Sequence, residues 1–293
     1  APGFYDFYFD ERKLRLKYGV SISYNEFSEI LQKANSYPES KVTKLAEEIK
    51  KEGLNRGVKP QQFEKAARIF FALNEIAQEN EYNALAISCW PKFQREYGFC
   101  VCSTIGRLNQ NGVATSCEGD IPSALSMLLL NYLNQGHSML MDLVKFDSED
   151  DSLLMWHCGP AAECWADKKG LSYCPHYVDK VGIVNDLTFK PQPVTIMRIT
   201  NEGSRISLAN GDILEEEKKS FDGSRGWIGN LRILGEKGSA LDFVNTIMVN
   251  HLEHHFPIAS GNLYEQLMEV CAWLSLEPIK MVPYQNYLQN TCQ

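Results

Sequence analysis

The segment that organises this sequence is CEGDIPSALSMLLLNYL, residues 117–133. Asp120 is a favourable N-cap residue because its carboxylate can accept hydrogen bonds from the free N–H groups at the start of a helix. Pro122 suits the first helical turn, where the missing N–H costs no hydrogen bond. Residues 123–133 are mostly apolar and contain neither Gly nor Pro. The pattern predicts a buried helix there, beginning directly after a turn that carries Glu118.

Upstream of this helix, the sequence alternates between helical and extended patterns. Apolar residues recur at helical spacing in three segments, and a short apolar run follows the third, as expected for a buried parallel strand. We therefore predict a Rossmann-like α/β domain with a parallel sheet over residues 1–136. The helices are predicted at 24–33, 42–51 and 60–79, and the strands at 83–89 and 98–105.

Downstream, short apolar runs are separated by Gly, Asn, Asp and Pro, which is typical of antiparallel strands. We predict an antiparallel, β-barrel-like C-terminal domain over residues 137–293, closed by a helix at 263–274. The expected fold class is therefore α/β plus β. The predicted strands lie near 139–144, 153–156, 181–184, 194–199, 205–209 and 227–234.

Composition restricts the function. The chain has 293 residues, 44% of them hydrophobic and 23% charged, which is typical of a globular protein. Its net charge of −8 means that it has no overall basic character for binding nucleic acid. No apolar run is long enough for a membrane span, and the first residues do not resemble a signal peptide. We expect a cytoplasmic protein with reduced cysteines.

The nine cysteines leave one structural alternative open. Cys158, Cys164, Cys174 and His176 could together bind a structural zinc ion, although the sequence contains no CxxC pair. This zinc-stabilised domain is a competing hypothesis to the one developed below.

Two distant acids and one of two adjacent late histidines form a candidate ligand set for a divalent cation. Glu118 lies just before a helix N-terminus, whose partial positive charge favours an ionised carboxylate. Asp142 interrupts an apolar run, where an acid is costly unless it is paired or metal-bound. His255 follows His254, and adjacent strand residues face opposite sides, so at most one of the two histidines should reach a given metal. Two carboxylates and one imidazole suit Mn²⁺. Each residue also has an ordinary explanation: a helix-terminal acid, a solvent-facing strand residue and a surface turn.

Three further side chains are candidates for substrate contacts. His157 is predicted at a strand end, although a lone histidine there is more often a satisfied core residue. Gln94 follows the carboxyl end of a predicted parallel strand, where ligands gather, but surface amides are also common there. Trp227 could stack on a sugar face, or it could belong to the core.

Taken together, the motifs resemble the C-terminal two-thirds of the L-fucose isomerase and L-arabinose isomerase superfamily, over nearly the whole chain. Their order and spacing agree with that family. The motifs are Cys117-Glu118-Gly119-Asp120-Ile121-Pro122, Met141-Asp142-Leu143, Trp156-His157-Cys158-Gly159 and His254-His255 followed by Gly261.

The resemblance implies a fold and a site. The family has a first Rossmann-like domain, a second α/β domain and a C-terminal β-barrel-like domain, and residues 1–6 resemble the start of the second. It binds Mn²⁺ through residues at the positions of Glu118, Asp142 and His255, and usually forms symmetric oligomers, so a homo-oligomer (trimer or hexamer) is expected. The arabinose type adds a histidine ligand at the position of His157.

The resemblance also implies a reaction, the interconversion of an aldose and its ketose through a cis-enediol, with a pentose or 6-deoxyhexose as the small-molecule substrate. Glu118 and Asp142 would then be ligands and catalytic acid–base groups at once. Because metal coordination lowers the basicity of a carboxylate, the ligand role ranks above proton transfer. The alternative is a sugar-binding relative without turnover, or an inactive piece of the enzyme that lacks the first domain.

Overall fold

The computed structural model describes residues 4–215 and 218–285. Ala1 to Gly3, half of the segment that resembles a domain start, lie outside the described residues. The described chain contains both helices and strands, with one large mixed sheet and one small parallel sheet. No helix among the described residues has the length and apolar character needed to cross a membrane.

The N-terminal half consists mainly of helices, and the three predicted amphipathic helices are present. Pro60 begins the longest of them, in the position where a proline is tolerated. The helices are α1 (Glu11–Tyr18), α2 (Phe27–Ser36), α3 (Glu39–Glu52), α4 (Pro60–Glu79), α5 (Cys102–Gln110) and α6 (Ile121–Asn134), and the strands are β1 (Leu54–Asn55), β2 (Ala84–Ala86) and β3 (Ala114–Ser116).

The parallel sheet of this half is the pair β2–β3, in which Ala84 lies opposite Ala114. The predicted strand at 98–105 is wrong, because residues 102–110 form α5 instead. Cys100, Val101 and Cys102 are all buried, so their alternation did not mark one exposed and one buried face. The actual second strand, β3, has three residues and is too short to show a period.

The second half supplies most of the large sheet. The predicted closing helix is confirmed as α8, and a helix that the pattern did not predict, α7, precedes β12. The elements are β4 (Met139–Asp147), β5 (Ser152–His157), β6 (Ser172–Cys174), β7 (Val184–Thr188), β8 (Pro193–Ile199), β9 (Arg205–Ile213), β10 (Ser224–Ile233), β11 (Glu236–Lys237), α7 (Ala240–Val249), β12 (His255–Ser260), α8 (Tyr264–Leu274) and β13 (Glu277–Pro278).

Six of these strands pair antiparallel in the order β10–β5–β4–β12–β8–β9, and β9 pairs in turn with β10. The sheet is mixed rather than antiparallel throughout, since β1–β6, β7–β10 and β9–β13 are parallel pairs. β1 comes from the N-terminal side of residue 136, so the large sheet extends across the predicted domain boundary. That boundary and the barrel-like form of the C-terminal domain stay predictions.

Helix α6 joins the two halves and confirms the helix prediction. Asp120 is its N-cap, accepting a hydrogen bond of 2.9 Å from the backbone N–H of Ser123, and Pro122 lies in the first turn. The helix packs against β3 on one side and β8 and β12 on the other. It therefore holds the turn that carries Glu118 close to the strands that carry the other candidate ligands.

Candidate active site

The structure brings Glu118, Asp142 and His255 together. Asp142 on β4 and His255 on β12 are direct cross-strand partners, so both side chains project from the same face. Glu118 reaches the same point from the turn after β3. His255 Nε2 lies 3.4 Å from a carboxylate oxygen of Glu118 and 3.4 Å from one of Asp142.

The turn gives Glu118 this position through its backbone. Glu118 and Gly119 both have positive φ, of 60° and 73°, and the Gly119 N–H donates to the Ile87 carbonyl, 2.9 Å away, at the end of β2. A left-handed conformation at a non-glycine residue is uncommon. The carboxylate is thus held at the carboxyl end of the parallel pair, where ligands of α/β sheets gather.

His255 is oriented from behind by Asp120. The distance from Nδ1 to the Asp120 carboxylate is 3.0 Å, and His255 is fully buried. Burial lowers the pKa of His255, opposed by its hydrogen bond to Asp120. The neutral ring therefore donates from Nδ1 and directs the lone pair of Nε2 towards Glu118 and Asp142. Carboxylate–histidine pairs of this kind orient metal ligands in many proteins.

A buried arginine supports Asp120 in turn. Arg198 on β8 is 1% exposed and donates to Asp120 over 2.7 Å and to Glu253 over 3.0 Å. Burial alone would raise the pKa of Asp120, but the charge of Arg198 and the hydrogen bond from His255 hold it well below its usual value. Asp120 therefore stays ionised and can fix the His255 tautomer.

The pKa of Glu118 is shifted in the opposite direction to that of Asp120. Burial raises its pKa to about 7, and the neighbouring Asp142 acts in the same direction, while the charge on His157 opposes the rise. A carboxyl group with this pKa is close to half-protonated at neutral pH, and a bound cation would favour its ionised form.

His157 lies beside this group at the end of β5. Its ring centroid is 5.5 Å from that of His255, and it is 1% exposed. Nδ1 accepts a hydrogen bond of 2.8 Å from the Cys158 N–H, so the ring proton is on Nε2. Burial opposes a charge on the ring, but the negative charges of Cys158 and Asp142 raise the pKa of His157 well above its usual value. In the neutral and in the charged form, Nε2 is a donor.

Several polar atoms at the site are buried without a hydrogen bond. Among the described residues, no hydrogen-bond partner is found for Asp142 Oδ1, His157 Nε2 or His255 Nε2. Buried polar atoms are rarely left unsatisfied unless water, an ion or a ligand binds there. Ligand atoms within 4.8 Å of one another form two triplets here, Glu118 with His157 and His255, and Asp142 with His254 and His255. The two triplets share His255, and no such group among the described residues contains both Glu118 and Asp142. The donor set of carboxylates and imidazoles fits a Mn²⁺ ion.

His254 lies closer to this site than we predicted from the alternation of side chains along a strand. Its Nε2 is 3.9 Å from Asp142, and the two histidine rings are 4.5 Å apart. The expectation that the two residues face opposite sides was wrong because β12 begins only at His255. Phe7 stacks on His255 with centroids 4.3 Å apart, and Asp6 contacts His254 at 2.5 Å, so the N-terminal segment covers this edge of the site.

The other sequence candidates lie in different surroundings. Gln94 is part of a π-helical turn at Phe93–Tyr97, and its Oε1 is buried with no hydrogen-bond partner among the described residues. Trp227 is 5% exposed, with the amines of Lys145 and Lys218 over its ring at 5.5 and 4.0 Å. No contact between Trp227 and the Glu118 group is found in the described part of the chain. The roles of both residues in sugar binding stay predictions.

The zinc ligands predicted from sequence do not come together. Among residues 4–215 and 218–285, Cys164 and Cys174 belong to no group of potential ligands, and Cys164 is exposed. Cys158 and His176 do meet, but their third partner is Cys102.

Sequence reasoning missed the supporting residues. Asp120 was recognised only as a helix cap, and Arg198 was not singled out. An arginine in the apolar run Val194–Ile199 was an available signal, because a charge in a buried strand needs a partner.

Comparison with known proteins gives related sequences but no matching family model. The chain is 30% identical over 282 residues to a sulfoquinovose isomerase of Priestia megaterium, an alignment that covers 94% of this chain and 61% of that protein. It is 28% identical over 284 residues to a sulfoquinovose isomerase of Alkalicoccus urumqiensis, covering 96% of this chain and 62% of the relative. A sulfoquinovose isomerase of a Clostridium species is 28% identical over 268 residues. The chain thus spans about three-fifths of the length of the curated relatives it matches, and over nearly all of its own length it is similar to proteins named sulfoquinovose isomerase.

Proposed function

We propose that this chain carries the active site of a metal-dependent aldose–ketose isomerase related to the L-fucose isomerase superfamily. The observation that carries the proposal is that a carboxylate oxygen of Glu118 and one of Asp142 each lie 3.4 Å from His255 Nε2. The names of the similar proteins support the same reaction class. They also suggest a substrate, since sulfoquinovose is a 6-deoxyhexose with a sulfonate at C6.

Glu118, Asp142 and His255 would hold a Mn²⁺ ion. When bound, such an ion would supply Lewis-acid stabilisation of the negative charge of an enediolate. Asp120 keeps His255 neutral and oriented for this role, and Arg198 keeps Asp120 ionised. The thiol-lined region beside His157 offers different chemistry and is not part of this ligand set.

The proton transfer between C1 and C2 is assigned to the two carboxylates, second to their role as ligands. General bases work best when their pKa is near the operating pH, and burial raises the pKa of Glu118 to about 7 before a cation binds. Glu118 and Asp142 approach the same point from different elements, so a sugar bound there lies between them. Phe7 stacks on His255 and covers one side of this region.

His157 is assigned to the substrate rather than to the metal. In the neutral ring, Nδ1 accepts from the Cys158 N–H, which favours the tautomer with the proton on Nε2 and disfavours Nε2 as a metal ligand. The Nε2–H can instead donate to a sugar oxygen. Gln94 and Trp227 remain proposed sugar contacts, and the homo-oligomer (trimer or hexamer) and the cytoplasmic location also remain proposals.

The test is proton exchange at the reacting carbon. The protein is incubated with Mn²⁺ and sulfoquinovose in D₂O, and deuterium at C2 and the ketose product are followed by NMR, with L-fucose and L-arabinose as comparison sugars. We expect exchange and product for the wild-type chain, and a loss of about 10²- to 10⁴-fold in a Glu118→Gln variant.

The control is a Glu163→Gln variant, which changes a carboxyl group in the short helix Glu163–Trp165, outside the proposed ligand set. Full exchange in Glu118→Gln would contradict the assignment. Calorimetric sugar binding by the wild-type chain without deuterium uptake or product would instead favour the alternative, a sugar-binding protein without turnover.

A further inference from the structure

A second group of potential metal ligands lies beside the first and has a different chemistry. Ligand atoms of Cys102, Cys158 and His176 lie within 4.8 Å of one another, and those of Cys100, His176 and Asp179 form a neighbouring triplet. The two triplets share His176. We call these five residues the thiol cluster; none of them belongs to the ligand set proposed above.

The distances in the thiol cluster suit a tetrahedral zinc ion. Zn–S bonds of about 2.3 Å at tetrahedral angles separate two sulfur ligands by roughly 3.8 Å, and Zn–N and Zn–O bonds of about 2.0 Å separate those ligands by roughly 3.3 Å. The Sγ atoms of Cys102 and Cys158 are 3.5 Å apart. His176 Nδ1 is 3.3 Å from an oxygen of Asp179.

Burial and access also fit a bound ion. Cys102 is 3% exposed, and the thiol groups therefore lie in a region where a charged ligand would need a partner. The side chains of His176 and Asp179 are 12% and 29% exposed, which leaves a path for the ion from solvent. The distance of 3.5 Å between the sulfurs is well above the roughly 2.05 Å of a disulfide bond.

From this geometry we infer that Cys102, Cys158 and His176 together bind a thiophilic divalent cation, Zn²⁺. Thiolates select such an ion over Mn²⁺, whereas the carboxylate group at Glu118 has the reverse preference. The ligand set differs from the one predicted from sequence, because Cys102 takes the place of Cys164 and Cys174.

The position of the thiol cluster gives the ion a structural role. His176 and Asp179 belong to a loop that closes on itself, since the His176 N–H donates to the Val181 carbonyl and the Lys180 N–H to the His176 carbonyl, over 3.2 and 2.9 Å. Gly182 then packs its backbone directly on Cys100, leaving no room for a Cβ atom. An ion would join this loop to Cys158, the residue next to His157, and so hold the loop at the edge of the proposed sugar site.

Metal content and a spectroscopic signature test this inference without any measurement of sugar turnover. The full chain, purified under reducing conditions with Zn²⁺ present, should retain about one equivalent of Zn²⁺ after extensive dialysis. Replacement of Zn²⁺ by Co²⁺ should produce a thiolate-to-cobalt charge-transfer band in the near ultraviolet. Both signals should be lost in Cys102→Ser and His176→Ala variants.

Two controls separate this site from others. A Cys164→Ser variant, which removes an exposed thiol outside the thiol cluster, should keep both signals, and so should Glu118→Gln. Since the cobalt spectrum is read on the wild-type chain, the inference remains falsifiable if a ligand variant does not fold. No charge-transfer band in the wild-type chain, loss of zinc in Glu118→Gln, or full retention in folded Cys102→Ser would each overturn it. So would a Cys102–Cys158 disulfide in the purified protein under reducing conditions.

Discussion

The carboxylate–histidine group at Glu118 and the thiol cluster at Cys102 meet at two consecutive residues, His157 and Cys158, yet they differ in every respect that selects an ion. The first offers oxygen and nitrogen atoms oriented by a buried ion pair, while the second offers sulfur atoms and a partly exposed histidine. We therefore expect the two neighbouring groups to prefer different metals, because their ligands differ in softness.

Removal of the buried Arg198–Asp120 ion pair should give the largest change in stability. Arg198→Met keeps the apolar stem but leaves the buried Asp120 without its charge partner, so we expect a loss of about 3–5 kcal/mol in the free energy of unfolding. Urea denaturation measures it, with the exposed Arg232→Met as the control. The thiol cluster does not depend on Arg198, so folded Arg198→Met should keep the cobalt band. An unchanged unfolding free energy would refute the proposed support.

The next effect concerns the orientation of His255. Asp120→Asn retains a good helix N-cap but removes the charge that holds the Nδ1 proton. We expect a loss of about 10- to 100-fold in Mn²⁺ affinity, measured by calorimetry. The affinity of the thiol cluster for Zn²⁺ should not change. If Asp120→Asn binds Mn²⁺ as the wild type does, Asp120 is only a helix cap.

A smaller effect should follow pH. Because a cation must displace the Glu118 proton, Mn²⁺ affinity should fall by up to about tenfold for each pH unit below about 7. The metal-free protein should behave in the opposite sense: a raised carboxyl pKa stabilises the fold at low pH, and that contribution is lost as pH rises from the usual 4.5 to about 7. Glu118→Gln should abolish both trends, and their persistence in that variant would show that another group titrates.

The smallest expected change separates substrate contact from metal ligation. In His157→Phe we expect Mn²⁺ affinity to change by no more than about twofold, as for a residue outside the ligand set. Deuterium uptake into the sugar should nevertheless fall, because the Nε2–H donor is lost. A large loss of Mn²⁺ affinity would instead make His157 a ligand.

Sequence alone predicted the parts of the fold whose signals are local. The N-cap at Asp120 and the apolar run after it were sufficient for α6, and helical periodicity was sufficient for α4. Elements fixed by tertiary contacts were missed: β3 is too short to carry a period, and residues 102–110 form a helix although Cys100 to Cys102 alternate like a strand.

The site residues divide in the same way, into those with a signal in the sequence and those fixed only by tertiary contacts. Glu118, Asp142 and His255 were selected through a family resemblance, and the structure places them together. The Arg198–Asp120 pair, by contrast, joins residues 78 positions apart, and neither residue type indicates in the sequence which residue it will pair with. The thiol cluster likewise depends on a contact between α5, the end of β5 and a loop, which cysteine spacing does not encode.

The most direct test is anomalous scattering from a crystal soaked in Mn²⁺, with data collected at the manganese edge. The account predicts a peak within bonding distance of Glu118, Asp142 and His255 Nε2, while Cys102 and Cys158 lie outside its coordination sphere. A manganese peak at the thiol cluster, or no peak between the two carboxylates, would contradict it.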